Sequence, residues 1–200
     1  MVTGARAHLR AAAILLFCTA ASLFAAPLDL QKIRLKGAQN IKDLRYFQET
    51  GLISARQTAI EMQIENYERS LTQFAEAKQT DRNTALKAIQ ANYEKFAPEF
   101  KAIADIYRDL ALRHKNAINE KNSETISETA VREKVVATVE VAKQDETRAL
   151  AAYTNRNYNY SAHLYWRSLR HYAKVFTLRK WQPLVQIAEK PKANKKPAAR

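Results

Sequence analysis

The side chains able to do covalent or metal chemistry are few. Of the four histidines, His8 lies in an N-terminal leader, leaving His114, His163 and His171. None stands in an HExxH or Glu-x-x-His spacing, the arrangements that set two ligands on one helix face around a divalent cation. His163 and His171 are eight residues apart and can share a helix side, but about 12 Å of rise keeps them from sharing an ion. The one thiol, Cys18, falls inside an apolar run of the leader. No GxSxG elbow offers an activated serine. Glu65 with Glu68 and Asp105 with Asp109 are carboxylate pairs at spacings that a solvated helix face produces routinely. The expectation is a protein without catalysis, cofactor or metal.

The remaining chemistry is recognition. The stretch YERSLTQFA, from Tyr67 to Ala75, has a near-copy in YWRSLRHYA, from Tyr165 to Ala173. Tyr67, Arg69, Ser70, Leu71, Phe74 and Ala75 match Tyr165, Arg167, Ser168, Leu169, Tyr172 and Ala173, and the aromatic and Leu positions fall on one helix seam. The second copy differs off that seam. At about 100° per residue, His163, Arg167, Arg170 and Lys174 share a band opposite Tyr158, Tyr165, Leu169 and Phe176. Trp166 and Trp181 border the band, and Arg179, Lys180 and a Lys-rich tail continue it. A solvated outer face is the plain reading of such a band. The sharper one makes His163, Trp166, Arg167, Arg170, Lys174, Arg179, Lys180 and Trp181 a docking surface for anionic groups, since Arg and Trp are enriched where partners meet.

Charge placement favours the sharper reading. Ala26 to Ala162 carries 21 Lys and Arg against 19 Asp and Glu, whereas His163 to Arg200 carries ten against the single acid Glu189. Basicity confined to the last fifth of a chain suggests an anionic partner.

The elements that must hold this surface read as helices. Residues 1–25 form a signal peptide: Arg6 and Arg10, then an apolar run, then small residues. Cleavage after Ala25 is preferred and after Ala21 is second; an uncleaved anchor or a lipid-modified Cys18 fits less well. The mature chain then has no cysteine, so it must fold by burying apolar surface. Glycine is scarce, at three residues, which argues against hairpin-rich β structure and glycine phosphate loops. The fold expected for residues 26–186 is all-α: an elongated antiparallel helical bundle with coiled-coil-like hairpins.

LDLQKIRLKG is open between a short strand and a loose helical turn, with Asn40 capping a helix that ends at Gly51. A helix over about Leu52 to Lys78 shows the stripe Ile53, Ile60, Ile64, Tyr67, Leu71 and Phe74. Leu86, Ile89, Tyr93, Phe96, Phe100, Ile103, Tyr107 and Leu110 then alternate steps of three and four without a slip. Pro98 lies off that stripe and should kink or break the helix near Ala97. His114 to Thr125 reads as helix end, loop and new start, and Val135 to Ala142 is β-branched enough for strand to compete, although flanks rich in Glu, Lys, Gln and Ala favour helix. A turn at TNRNYN leads to a last helix from about Tyr158 to Trp181. Residues 187–200 are charged, rich in Pro and Ala, and expected to be disordered.

Tyr158, Ser161, Tyr165, Ser168 and Leu169 together resemble the second helix of a tetratricopeptide unit. In the preceding helix Asp145, Arg148 and Ala152 depart from the pattern, as does Ala173 where the repeat ends in proline. The resemblance implies a helical scaffold that binds peptides or protein segments, without catalysis. The signal peptide, small size, basicity and paired helices are also similar to the OmpH-type periplasmic chaperones, although no strand-rich trimerisation core is evident.

The expected function is an exported scaffold or adaptor, periplasmic or associated with the bacterial envelope, whose partners are other envelope proteins. A periplasmic holdase is one alternative. Electrostatic attachment to an anionic membrane surface or cell-wall polymer is another, and a homo-oligomer is compatible with each. Export removes nucleic acid from the partners that a pI near 9.9 would otherwise suggest.

Overall fold

The computed structural model describes residues 29–121, 126, 128–185 and 187. The expected signal peptide and the chain beyond residue 187 lie outside them, as does Ser123, where a helix start was expected. Among the described residues there is no strand. Six helices follow one another: α1 (Leu30–Glu49), α2 (Gln57–Glu76) after a 3-10 turn at Ser54–Arg56, α3 (Arg82–Glu94), α4 (Phe96–Glu120), α5 (Thr129–Thr154) and α6 (Tyr158–Leu178). The chain is an all-α bundle.

α6 is the centre. It packs along α4 on one side and α5 on the other, and its own Leu164, Tyr165, Leu169, Tyr172, Val175 and Phe176 are buried. The α5–α6 hairpin owes its close approach to small residues. Ala142, Ala149 and Ala152 of α5 face α6, where Ser161 and Ser168 are fully buried. The two serine hydroxyls donate to Ala149 O and Ala142 O, each at 2.9 Å. Donors and acceptors are both seven residues apart, running in opposite directions, so one antiparallel register satisfies both. A larger side chain at either serine would force the helices apart.

The three-four stripe that runs from Leu86 to Leu110 is inward along its length, with Ile89, Phe96, Phe100, Ile103 and Tyr107 buried. Phase is kept across the proline. The break falls at Lys95, and Pro98 sits in the first turn of α4, where a missing N–H costs least. α2 pairs with α3, and α1 lies across α2, α3 and α4 while also reaching α6.

Two helix boundaries differ from the sequence reading. α1 starts at Leu30, so LQKIRLKG is helical and Asn40 is interior rather than a cap; Asp29 caps instead, accepting from Lys32 N at 3.0 Å. α4 continues through His114 to Glu120, because Ala111, His114 and Ile118 extend its buried face. The segment Val135 to Ala142 is helix rather than the competing strand, as its flanks favoured, with Ala142 against α6. Ile187, expected to begin the disordered tail, packs against the core.

The two copies of the repeated face are used alike only in their packing positions. Tyr67, Ser70, Tyr165 and Ser168 are all buried. Ser70 donates to Tyr67 O within its own helix, whereas Ser168 reaches across to α5. The two faces share a shape and differ in what they bind.

Candidate interaction surface

The outward face of α6 is a stripe of Tyr160, His163, Arg167, Arg170 and Lys174. Tyr160, Arg167, Arg170 and Lys174 are exposed and His163 half-buried. These are the positions left once α4, α5 and α1 have covered the rest of the helix. The three exposed cations occupy consecutive turns, about 10 Å from first to last.

Two carboxylates from neighbouring helices underlie the stripe. Asp145 of α5, 2% exposed, lies 3.3 Å from Arg167 Nη2 through Oδ1 and 3.8 Å from His171 Nε2 through Oδ2. Its position is inward, and the side chains it faces there are cationic or can become so. Asp43 of α1 lies 3.6 Å from His163 Nε2. The His163 ring packs on Phe47 and Tyr46, at centroid distances of 4.5 and 5.7 Å. Burial holds both imidazoles below the ordinary histidine range, with Asp43 and Asp145 pulling back towards the charged form. At His171, Arg167, Lys174 and Arg170 add to the lowering.

The remaining residues of the sequence-derived surface divide differently. Trp166 does not border the band: it is 3% exposed, packs tilted against Tyr107 at a centroid distance of 5.3 Å and donates Nε1–H to Tyr46 Oη at 2.8 Å. Docking of α1 is what covers it. Arg179, Lys180 and Trp181 build the end of α6. Lys180 N–H donates to Thr177 O and Trp181 N–H to Phe176 O, with Lys180 at φ 54°, the geometry of a Schellman cap. The Trp181 ring closes the motif edge-on against Phe176, and the Arg179 guanidinium lies 4.5 Å from its centroid. Trp181 is half-buried there, also near Lys121 Nζ at 5.1 Å. Sequence spacing thus joined residues that the structure assigns to three places: stripe, core and cap.

A second feature was not singled out from the sequence. Where α1, the α3–α4 junction and the α5–α6 turn meet, a cleft of about 410 Å³ opens, with Lys36 and Arg156 among its lining. Its parts come from three stretches far apart in the chain. The one local signal was the pair of irregularities at Pro98 and TNRNYN.

Elsewhere the polar interior is structural. Glu146 accepts from Lys115 Nζ and Tyr172 Oη, both at 2.9 Å, tying α4, α5 and α6 together. Tyr107 Oη and Thr50 Oγ1 pair at 2.9 Å in the core, where burial pushes the phenol well above its ordinary range. No group of three potential metal ligands occurs among the described residues. None of the described helices is long and apolar enough to cross a membrane.

The fold and surface define a class, an all-α bundle with one cationic helix face. No protein-family model, curated protein or solved structure matches the chain.

Proposed function

We propose that the protein is an exported, non-catalytic helical scaffold of the bacterial envelope, and that the α6 stripe holds another envelope protein through its acidic groups. The observation that carries this reading is the position of Arg167, Arg170 and Lys174. They stand exposed on the helix whose other faces are the most deeply buried in the molecule. Cations on a rigid central helix lose little ordering entropy when a partner docks. A paired-helix scaffold of the tetratricopeptide kind fits the same role. The test is recovery of the native protein from its own envelope at physiological salt. One or a few stoichiometric partners are expected, lost when Arg170→Glu is combined with Lys174→Glu. Arg167 is left intact because its pairing with buried Asp145 makes it partly structural.

A second reading has its own support in the ten basic residues of the last fifth of the chain. Each contributes on the order of 1 kcal/mol near an anionic membrane, so the stripe and tail together could hold the protein on anionic lipid or cell-wall polymer. That attachment collapses at high salt or on removal of residues 188–200, whereas a scaffold keeps its partner. Suppressed aggregation of many unrelated unfolded clients would instead point to a holdase.

A further inference from the structure

Two backbone irregularities meet at the cleft, and each costs stability. The α3–α4 break at Lys95 interrupts an otherwise continuous stripe, and Arg156 adopts φ 59° in the turn between α5 and α6. Arg156 N–H donates to Tyr153 O and Asn157 N–H to Ala152 O, so Arg156 occupies the capping position that glycine fills most comfortably. An arginine kept in a left-handed conformation calls for a reason, and its place on the cleft lining supplies one.

The cleft has the volume of a small-ligand site. Half-buried Tyr93 and Tyr158 line it, above Phe96 and Phe100. Those two phenylalanines are 1% and 2% exposed, so the floor is shallow and offers no deep slot for a peptide side chain. Lys36 and Arg156 bring two cations against the one carboxylate of Glu94.

Four side-chain amides complete the lining, and their orientation is partly fixed from behind. Asp43 accepts from Gln39 Nε2 at 2.8 Å and from Asn159 Nδ2 at 2.7 Å. Each amide thereby spends one of its two N–H donors on Asp43 and keeps the other, and the Gln39 carbonyl remains an acceptor. Asn159 Oδ1 is buried and has no hydrogen-bond partner among the described residues. Asn157 uses its oxygen to cap α6, accepting from Tyr160 N at 3.4 Å, which leaves its NH2 as a donor. Asn40 can supply either.

This inventory selects a ligand class. Phosphate or sulfate carries acceptors almost alone and would leave the Gln39 carbonyl and the Tyr93 and Tyr158 rings without a partner. A purely apolar ligand would desolvate four amides without pairing them. Hydroxyl groups donate and accept at once and match the mixed array. Sugar ring faces lie well on tyrosine rings, and a carboxylate answers the excess of positive charge. We infer that the cleft binds a short acidic saccharide, with Tyr93 and Tyr158 under its rings and Lys36 and Arg156 meeting its carboxylates. This site is separate from the α6 stripe and does not depend on the scaffold reading.

Titration of the mature chain with trigalacturonate, followed by calorimetry and by amide shifts, tests the inference. The controls are its methyl ester, inorganic phosphate and trialanine. One saturable site is expected, with shifts at Asn157, Tyr158 and Asn159. Removing the charge by esterification, or by Lys36→Ala or Arg156→Gly, weakens binding about tenfold. Arg156→Gly also holds or raises the melting temperature, because glycine relieves the left-handed residue; a merely structural arginine would not lose affinity while stability is kept. The Arg170→Glu, Lys174→Glu variant binds the saccharide within about twofold of the parent. Absence of saturable binding overturns the inference. So does phosphate or trialanine binding as well as trigalacturonate, or an Arg156→Gly variant with unchanged affinity.

Discussion

Gly37 sits in the middle of α1, where glycine is usually a cost, because a side chain there would overlap the Tyr67 phenol. That phenol donates to Ile33 O at 2.9 Å and so ties α2 to the first turn of α1. Gly37→Ala gains helix propensity but drives a methyl group into the ring. We expect a net loss of about 1–3 kcal/mol, measured as a lower urea midpoint at unchanged slope. The contrast between Trp166 and the stripe is sharper. Trp166→Ala removes a buried ring and its hydrogen bond to Tyr46, and should cost about 3–5 kcal/mol. Lys174→Ala on the exposed face should change stability by no more than about 0.5 kcal/mol. Parallel denaturation curves of these two variants separate core from contact surface. Helical spacing placed Arg167, Arg170 and Lys174 outward correctly, since any neighbour must bury the opposite seam. It misplaced Trp166 because its partner Tyr46 is 120 residues away, and nothing local to YWRSLRHYA says that α1 docks there.

At the scale of elements, what was legible in the sequence was periodicity. The unbroken alternation from Leu86 to Leu110, the left-handed Gly51 after α1 and the turn at TNRNYN all stand where spacing and turn chemistry put them. Helix ends were harder to read. Asn40 has good capping chemistry, yet the chain before it is helical because Tyr67 and the rest of α2 give α1 something to lie on. His114 to Glu120 looked like a loop because it is polar, but Ala111, His114 and Ile118 are buried at one-turn steps. The end of α6 carries a testable consequence. Lys180 occupies the left-handed position of its cap at φ 54°, and Lys180→Gly should stabilise the protein by about 0.5–1 kcal/mol by removing that strain. The cap is held by Trp181 on Phe176, so Trp181→Ala should destabilise the same end. Thermal melts of the two variants should shift in opposite directions. If Lys180→Gly lowers the melting temperature, the left-handed lysine is held by contacts worth more than its strain.

For the molecule as a whole, the three described histidines point in one direction as pH falls. His114 is fully buried, shares its Nδ1 with Leu110 O at 2.8 Å, and lies edge-on to Phe176 with Nε2 unpartnered among the described residues. Burial lowers its pKa from the ordinary 6.5, and burial likewise lowers those of His163 and His171. The unfolded chain therefore binds protons more readily than the folded one. Stability is fully present above about pH 6.5 and declines as pH drops below it, before the ordinary carboxylates begin to titrate. Urea unfolding between pH 8 and 5 should show a plateau and then a fall. His114→Leu, which removes the most buried of the three, should flatten that fall more than His171→Gln, because Asp145 already compensates the proton on His171. The same protonation adds charge to the α6 stripe, so the condition that loosens the bundle also makes its contact face more cationic. Partner capture that strengthens below pH 6.5 while the fold remains intact would show His163 and His171 adding to the charge of the stripe; capture insensitive to pH would leave the contact to Arg167, Arg170 and Lys174.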